Sequence, residues 1–262
     1  TDYAPLTPES LGPRLGATLR DRLGDPARWQ VAEVGDGNLN LVFIVTGPDA
    51  QVIVKQALPY LRLVGTGWPL PLKRSFYEYQ ALVRQSSCDP GRVPQVFHFD
   101  EDQAMIVMEY LTPHVILRKS VVRGVAHPHL ADHMGRFLAR TGFRGSALSL
   151  SGARLRSEMA LFSGNTVLSD ITETLVFTDP YIDAPRNRHT PGLEPYIAPL
   201  RADRAMRLAA AEAKHAFVSK TETLMHGDLH SGSLMVTADD TRVIDPEFAM
   251  YGPLGFDIGM FL

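Results

Sequence analysis

The chain has little of what marks a secreted, membrane-spanning or nucleic-acid-binding protein. Its single cysteine, Cys88, can form neither an intramolecular disulfide nor a CxxC pair, which fits a reducing cytosol. No apolar run approaches the roughly 18 to 20 residues of a membrane span, and the N-terminus has no basic-then-apolar signal pattern. A net charge of −3 argues against a basic surface for polyanions. We therefore expect a cytoplasmic protein that binds neither nucleic acid nor membrane.

The composition, 45% hydrophobic and 21% charged over 262 residues, is that of a globular protein with one large domain or two lobes. Residues 1–108 contain short β-type runs at 29–34, 39–45, 51–55, 96–99 and 104–108, and one helical pattern at 73–85. After a hinge at 109–112, residues 113–262 contain helix candidates at 114–123, 130–141, 153–163, 166–177 and 201–220. The pattern predicts an α+β fold, with an antiparallel sheet and one helix in the N-terminal lobe and a mostly helical C-terminal lobe.

Three segments are predicted to be less regular. Residues 1–28 indicate a short helix with breaks. Residues 56–71, with Gly65, Gly67, Pro69 and Pro71 near Trp68, indicate a loop, and residues 179–196 indicate a proline-rich connection.

The most informative motif is the run from His226 to Val236, followed by Val-Ile-Asp-Pro-Glu ending at Glu247. It predicts a tight loop that carries Asp228, a short apolar strand, and two further carboxylates, Asp245 and Glu247, after the next apolar run. Phosphoryl transfer from ATP needs a base beside the attacking hydroxyl and acidic oxygens that hold Mg²⁺ against the phosphates. Two ordinary surface turns would also explain Gly-Asp and Asp-Pro.

Two other chemistries fit this motif poorly. His226 and His230 are four residues apart, as in a zinc-binding helix, but Gly227 disfavours a helix there and no third ligand lies nearby in sequence. Ser231 and Ser233 do not stand in a G-x-S-x-G nucleophile elbow.

A glycine-containing turn between the first two strands is a candidate phosphate-binding loop. Gly35, Gly37, Asn38 and Asn40 follow the pattern G-x-G-x-x-G-x-V with Asn40 in place of the third glycine, although a hairpin turn has the same residues. Lys55 ends the third strand and can pair with the α- and β-phosphates.

A helix glutamate is expected to orient this lysine. Glu78 is the candidate, with Glu101, Asp102 and Glu109 as alternatives. Backbone groups of Glu109 to Leu111, after a buried strand, could bind an adenine edge, or the segment is an ordinary exit turn.

Only residues 246–256 separate Asp245 from Asp257, too few for a long regulated activation loop, which favours a small-molecule substrate over a protein. Asp257 is expected to brace the Asp228 loop through backbone hydrogen bonds.

Four segments together resemble the protein-kinase-like fold in its aminoglycoside phosphotransferase and choline kinase branch, and within it the methylthioribose kinases. They are Gly35–Phe43, Gly65–Pro69, His226–Val236 and Asp245–Gly259. The resemblance covers roughly residues 30 to 262, including Asp-Pro-Glu where protein kinases have Asp-Phe-Gly. It implies ATP- and Mg²⁺-dependent phosphorylation of the 1-hydroxyl of methylthioribose in methionine salvage, by a homodimer.

The resemblance also implies roles for single residues. Asp228 is the expected base, Asp245 and Glu247 the expected Mg²⁺ ligands, and Lys55 the phosphate lysine. Trp68 is expected near the nucleotide, Ser233 replaces the metal-binding asparagine of protein kinases, and Glu78, His230 and Asp257 are supporting residues.

The resemblance implies further helices beyond residue 262, with an arginine pair at the sugar, so we expect the C-terminal part of the fold to be missing. The alternatives left open are a related kinase for an aminoglycoside, choline or homoserine, and a nucleotide-binding pseudokinase or inactive fragment.

Overall fold

Five strands from the first 109 residues build an antiparallel sheet in the order β1-β2-β3-β7-β6. A computed structural model describes residues 2–35, 39–61 and 65–262, with only the backbone described at 65 and 66. The sheet strands are β1 (Gln30–Glu33), β2 (Asn40–Thr46), β3 (Gln51–Ala57), β6 (Val96–Asp100) and β7 (Met105–Glu109). The predicted antiparallel sheet is confirmed.

The central strand β3 separates two environments, because successive side chains of a strand point to opposite faces. Val52 and Val54 are fully buried and pack with helix α1 (Pro8–Leu23) in one core cluster. Ile53 packs into a second cluster on the other face. Lys55 follows Ile53 by two residues and therefore lies on that second face, toward helix α2 (Arg74–Cys88). The prediction that Lys55 ends this strand is wrong, because the strand continues to Ala57 and Gln56 still pairs with both neighbouring strands.

After β7 the chain is mostly helical. The helices are α3 (Leu117–Val122), α4 (Leu130–Arg144), α5 (Gly152–Phe162), α6 (Thr166–Phe177), α7 (Glu194–Ala202), α8 (Arg204–Ser219) and α9 (Leu254–Phe261). Five short strands accompany them: β8 (Val115–Ile116), β9 (Thr223–Met225), β10 (Leu234–Val236), β11 (Thr241–Val243) and β12 (Met250–Gly252). The predicted mixed fold class is confirmed.

The second core cluster contains residues from both halves of the chain. Leu82 of α2 and Ile106 of β7 pack with Leu229, Leu234 and Val243, all nearly or fully buried. The Asp228 loop is therefore fixed to the sheet by apolar packing next to the predicted hinge.

The predicted loop at 56–71 is wrong in its described part. β4 (Tyr60–Leu61) and β5 (Gly65–Pro69) pair in antiparallel fashion, with Tyr60 opposite Pro69. Glycine and proline lower the β-propensity of this segment, but pairing satisfies its backbone groups.

Three helix predictions also need correction. The broken N-terminal helix is the continuous α1, which a capping box of Thr7 and Ser10 starts and which lies beside the sheet in addition to α2. The helix predicted from 114 begins only at Leu117, because Ile116 pairs with Met235 as a strand. The helix predicted at 201–220 is α8, which begins only at Arg204 because Asp203 ends α7 and caps α8 by accepting from Ala205 N–H.

None of the helices in the described part of the chain has the length and apolar content that a bilayer crossing requires.

Candidate functional site

Strand pairing brings the two acidic loops side by side. β9 pairs with β12, so that Met225 lies opposite Met250, and β10 pairs with β11, so that Leu234 lies opposite Val243. The connections at 226–233 and 244–249 therefore run side by side, because both join the same two strand pairs at the same ends. The sequence motifs that carry Asp228 and Asp245 become neighbours through this topology.

Lys55 lies between two carboxylates. Its Nζ is 2.7 Å from Glu78 Oε1 on α2 and 2.7 Å from Asp245 Oδ1. Lys55 and Glu78 are almost fully buried, whereas the Asp245 side chain is 47% exposed. A buried ammonium group is tolerated because it is paired and hydrogen-bonded. Asp245 is the member of this triad that a ligand can reach.

The charges of this triad are mutually dependent. Burial acts to lower the pKa of Lys55, but the carboxylates of Asp245, Glu78 and Glu247 outweigh it and raise that pKa. Burial also acts to raise the pKa of Asp245, yet the Lys55 ammonium holds it below its usual value. Burial raises the pKa of Glu78, with Lys55 acting in the opposite direction. The pair of Lys55 and Asp245 is therefore ionised at neutral pH.

Glu247 pairs with Arg74 rather than with Lys55. Arg74 donates from Nε to Glu247 Oε2 at 3.1 Å, and Asn40 Nδ2 is 3.5 Å from both carboxylate oxygens. Asn40, predicted to bind the nucleotide, is buried here and turns its side chain to Arg74 and Glu247. Sequence reasoning missed Arg74, and its position one turn before Glu78 on the same helix face was the available signal.

Asp228 is partly open to solvent, with 38% of its side chain exposed, and lies beside His230. His230 Nδ1 accepts from Gly232 N–H at 2.8 Å and is 3.0 Å from Arg118 Nη2. Since Nδ1 accepts, a neutral imidazole carries its proton on Nε2, which is 3.5 Å from Asp228 Oδ2. Arg118 was not predicted as a site residue, and no motif marks it.

Burial raises the pKa of Asp228, and the nearby carboxylates of Glu247 and Asp245 act in the same direction. His230 and Arg118 act against this rise. Asp228 therefore interacts electrostatically with both Asp245 and Glu247. A carboxylate with a raised pKa is a better proton acceptor at neutral pH than an unperturbed aspartate.

Hydrogen bonds from buried polar groups hold the Asp228 loop in place. Asp257 accepts from His226 N–H at 2.6 Å and from Gly227 N–H at 3.0 Å, and burial raises the pKa of Asp257 to about 6. Burial lowers the pKa of His226 to about 4, so this side chain is neutral, and its Nε2 donates to Ile244 O. Ser233 Oγ donates to Asp228 O at 2.7 Å rather than pointing away from the loop.

Gly227 is expected to be the residue in this loop least tolerant of substitution. Its φ of +85° disfavours any side chain, and a Cβ there would be 2.2 Å from Phe248 O. Gly227→Ala should therefore lower the free energy of unfolding by about 2 to 4 kcal/mol, measured by denaturant titration. Gly135→Ala is the matched control, because Gly135 is an exposed residue of α4 with open space at its Cβ, and it should raise stability by about 0.5 to 1 kcal/mol. Equal effects at the two positions would contradict the close approach at Gly227.

The remaining predicted residues lie around this centre. Glu109 ends β7, and its Oε2 accepts from Gln95 N–H at 3.1 Å, while Leu111 is buried in the connecting segment. Trp68 lies under the Arg186 guanidinium, which is 5.8 Å from the ring centroid, so it contacts the segment after α6. Gly35 is an exposed turn residue. Gly37 and Asn38 lie outside the described residues.

The donor set suits a metal that is shared with a nucleotide rather than held by protein alone. Among residues 2–35, 39–61 and 65–262, no three His, Cys, Asp or Glu side chains are grouped as a metal site. Mg²⁺ keeps several waters and commonly takes one or two carboxylates together with substrate phosphates. An accessible Asp245 with Glu247 two residues away supplies such a pair, and Asp245 itself adopts a left-handed φ of 64°.

Comparison with known proteins identifies the family. Residues 30–262 match the model of the phosphotransferase enzyme family. A methylthioribose kinase of Escherichia coli O45:K1 (strain S88 / ExPEC) is 46% identical over 99% of this chain and 63% of its own length. Methylthioribose kinase 1 of Oryza sativa subsp. japonica is 45% identical over 99% of this chain and 59% of its own. The chain thus spans about three-fifths of the length of these curated relatives.

A solved structure shares the fold at low identity. The ternary complex of streptomycin, ATP and APH(2″)-IIa matches with a TM-score of 0.50 at 14% identity, over 97% of this chain and 75% of the other. The family model covers nearly all of the chain after its first helix, including every described element of the candidate site. This chain belongs to the phosphotransferase enzyme family.

Proposed function

We propose that this chain contains the nucleotide-binding and catalytic part of a methylthioribose kinase, which transfers the γ-phosphoryl group of ATP to the 1-hydroxyl of methylthioribose. One observation carries the chemistry: Lys55 lies 2.7 Å from both Glu78 and an exposed Asp245, in the same region as Asp228. The identity of 45–46% to methylthioribose kinases supports the choice of acceptor.

Asp228 is the proposed base. Its carboxylate accepts the proton of the acceptor hydroxyl as the O–P bond to the γ-phosphorus forms and the bond from that phosphorus to the β-phosphate oxygen breaks, leaving ADP. His230, with its proton on Nε2, would orient one carboxylate oxygen and leave the other for the hydroxyl. The raised pKa of Asp228 suits this task.

Lys55, Asp245 and Glu247 are the proposed phosphate and metal residues. Asp245 and Glu247 would hold Mg²⁺, which supplies positive charge to the phosphate oxygens when it is bound. Glu78 orients Lys55 from α2, and Lys55 neutralises charge on the phosphates. Gly35, Gly37, Asn38, Trp68 and the backbone of Glu109 to Leu111 are the remaining proposed nucleotide contacts.

The proposal includes a two-lobe division, with residues 1–108 covering the nucleotide, 109–112 as hinge and 113–262 carrying the acidic loops. It also includes a cytoplasmic location, which the use of ATP and the free Cys88 support, and a homodimer, which the family resemblance implies. Light scattering should then give twice the chain mass of 28.9 kDa.

The acceptor is tested by coupling ADP release to a panel of alcohols. Methylthioribose is expected to stimulate ADP release strongly, and ³¹P NMR should detect the 1-phosphate ester. Choline, homoserine and an aminoglycoside serve as alternatives, and stimulation by one of them alone would replace the proposed acceptor. Tight MgATP binding without release of ADP for any acceptor would instead indicate a nucleotide-binding module.

A further inference from the structure

Arg74 is a fully buried arginine whose guanidinium group is saturated with hydrogen bonds. Its five N–H groups have five acceptors, and only one of these is an ionised side chain. The acceptors are Glu247 Oε2 at 3.1 Å, Leu58 O at 2.7 Å, Pro71 O at 3.1 Å, Asn40 Oδ1 at 3.1 Å and Leu39 O. Packing alone would not require a charged group with a fixed planar fork at this place.

The three carbonyl acceptors hold the guanidinium in place independently of Glu247. Leu58 and Pro71 lie on the segments that follow β3 and precede α2, and Leu39 precedes β2. The carboxylate of Glu247, by contrast, follows Pro246 on a loop and receives its hydrogen bonds from Arg74 and Asn40. The backbone therefore holds Arg74 in place, and Arg74 in turn orients Glu247.

Helix α2 anchors both acidic residues of the Asp-Pro-Glu segment. Glu78 reaches Asp245 through Lys55, and Arg74, one turn earlier on the same helix face, reaches Glu247 directly. Two residues of one helix thus set two carboxylates that flank a single proline. Through Leu39 and Asn40, the same guanidinium group also holds the start of β2.

We propose that Arg74 is a positioning residue, which orients the Glu247 carboxylate for the magnesium ion that accompanies ATP and ties it to the start of β2. This inference rests on the proposed function, since it assigns a task to Glu247 in the same site. Partners that orient ligating groups typically change metal affinity by about 10- to 100-fold when they are replaced.

Arg74→Lys tests the proposal, because lysine keeps the charge but cannot reproduce five planar N–H contacts. ATP affinity is measured by calorimetry with EDTA and with saturating Mg²⁺. We expect the ATP affinity in EDTA to stay within about twofold of the wild type. The increase in ATP affinity on adding Mg²⁺, called here the Mg²⁺-linked gain, should fall about 10- to 100-fold. An unchanged Mg²⁺-linked gain in a folded Arg74→Lys protein would overturn the proposal.

Arg84→Lys is the matched control. Arg84 lies on the same helix and pairs with the buried Glu158 of α5 rather than with Asp245 or Glu247. It should keep the full Mg²⁺-linked gain even if its melting temperature falls. A loss at Arg84 as large as the loss at Arg74 would indicate general damage to α2 and would overturn the specific role.

A double-mutant cycle with Glu247→Gln separates positioning from stability. If Arg74 acts through Glu247, Arg74→Lys should have little further effect on the Mg²⁺-linked gain in the Glu247→Gln background. Full additivity of the two losses would overturn the proposal. Should Arg74→Lys fail to fold, Asn40→Ala removes the other donor to Glu247 and should lower the gain in the same, Glu247-dependent way.

Failure of the proposed function gives a different result from failure of this inference. A wild-type protein whose ATP affinity does not respond to Mg²⁺ would remove the basis for both. A wild-type protein that responds, together with an Arg74→Lys protein that responds equally, would overturn the role of Arg74 alone.

Discussion

Asp228→Asn is expected to lower kcat for methylthioribose phosphorylation by about 10²- to 10⁴-fold, the range that a general base contributes. The amide is nearly isosteric, so the backbone contacts of this loop to Asp257 and Ser233 should persist. It cannot accept the hydroxyl proton, however, and it leaves His230 Nε2 facing a neutral group. The KM for ATP should change little, because the change removes an interaction that matters in the transition state.

The measurement is steady-state kinetics on the intact enzyme, with purified variants compared at equal folded fraction. Asp239→Asn is the control, since Asp239 is an exposed aspartate in the turn between β10 and β11. It should keep wild-type kcat. Near-normal turnover by Asp228→Asn would show that another group accepts the proton.

Asp245→Ala is expected to abolish the Mg²⁺-dependent part of nucleotide binding. Asp245 is the exposed carboxylate of the acidic pair and the partner of Lys55, so its removal takes away a proposed metal ligand and leaves Lys55 with Glu78. Loss of one partner of a buried ion pair is strongly destabilising, at roughly 3 to 5 kcal/mol, although the exposure of Asp245 reduces that figure here. Calorimetry with ATP in the presence and absence of Mg²⁺ measures this Mg²⁺-dependent part of the affinity.

Asp245→Asn removes the carboxylate charge without disfavouring the backbone conformation of residue 245. Asp245 has a φ of 64°, a conformation that asparagine adopts far more readily than alanine. The asparagine variant should therefore fold better than the alanine variant and should still lose the Mg²⁺-linked affinity. If MgATP binds unchanged to Asp245→Asn, the carboxylate charge is not what holds the metal.

The parts of the site that are local in sequence could be predicted well. The spacing of His226, Asp228 and Ser233 indicates a tight loop before a strand, and strand β10 begins at Leu234. The strand that contains Lys55 and the helix that contains Glu78 could also be predicted, because β-branched runs and period-3.6 patterns depend on neighbouring residues. The end of that strand could not, since β3 continues past Lys55 to Ala57. The choice of Glu78 among four acidic candidates could not be read from the sequence, since it depends on which face of α2 meets β3.

Proline and glycine misled the prediction at a segment where strand pairing supplied the missing stability. Residues 60–61 and 65–69 pair as strands in a segment whose composition favours a loop. Asp203 moves the start of the helix predicted at 201–220 to Arg204, because its side chain caps α8. Capping and pairing each satisfy backbone groups that a composition-based argument leaves unassigned.

The amino-acid sequence by itself determined which chemical groups are present and how each stands relative to its immediate neighbours: the base candidate in its loop, the paired acids around Pro246, and the lysine within a strand. Only the tertiary structure decided which of these side chains contact one another. Arg74 and Glu247 are 173 residues apart in the chain, and Lys55 and Asp245 are 190 apart. Such contacts depend on strand registry and on burial that makes an unpaired charge costly, and neither is encoded in any short stretch of residues.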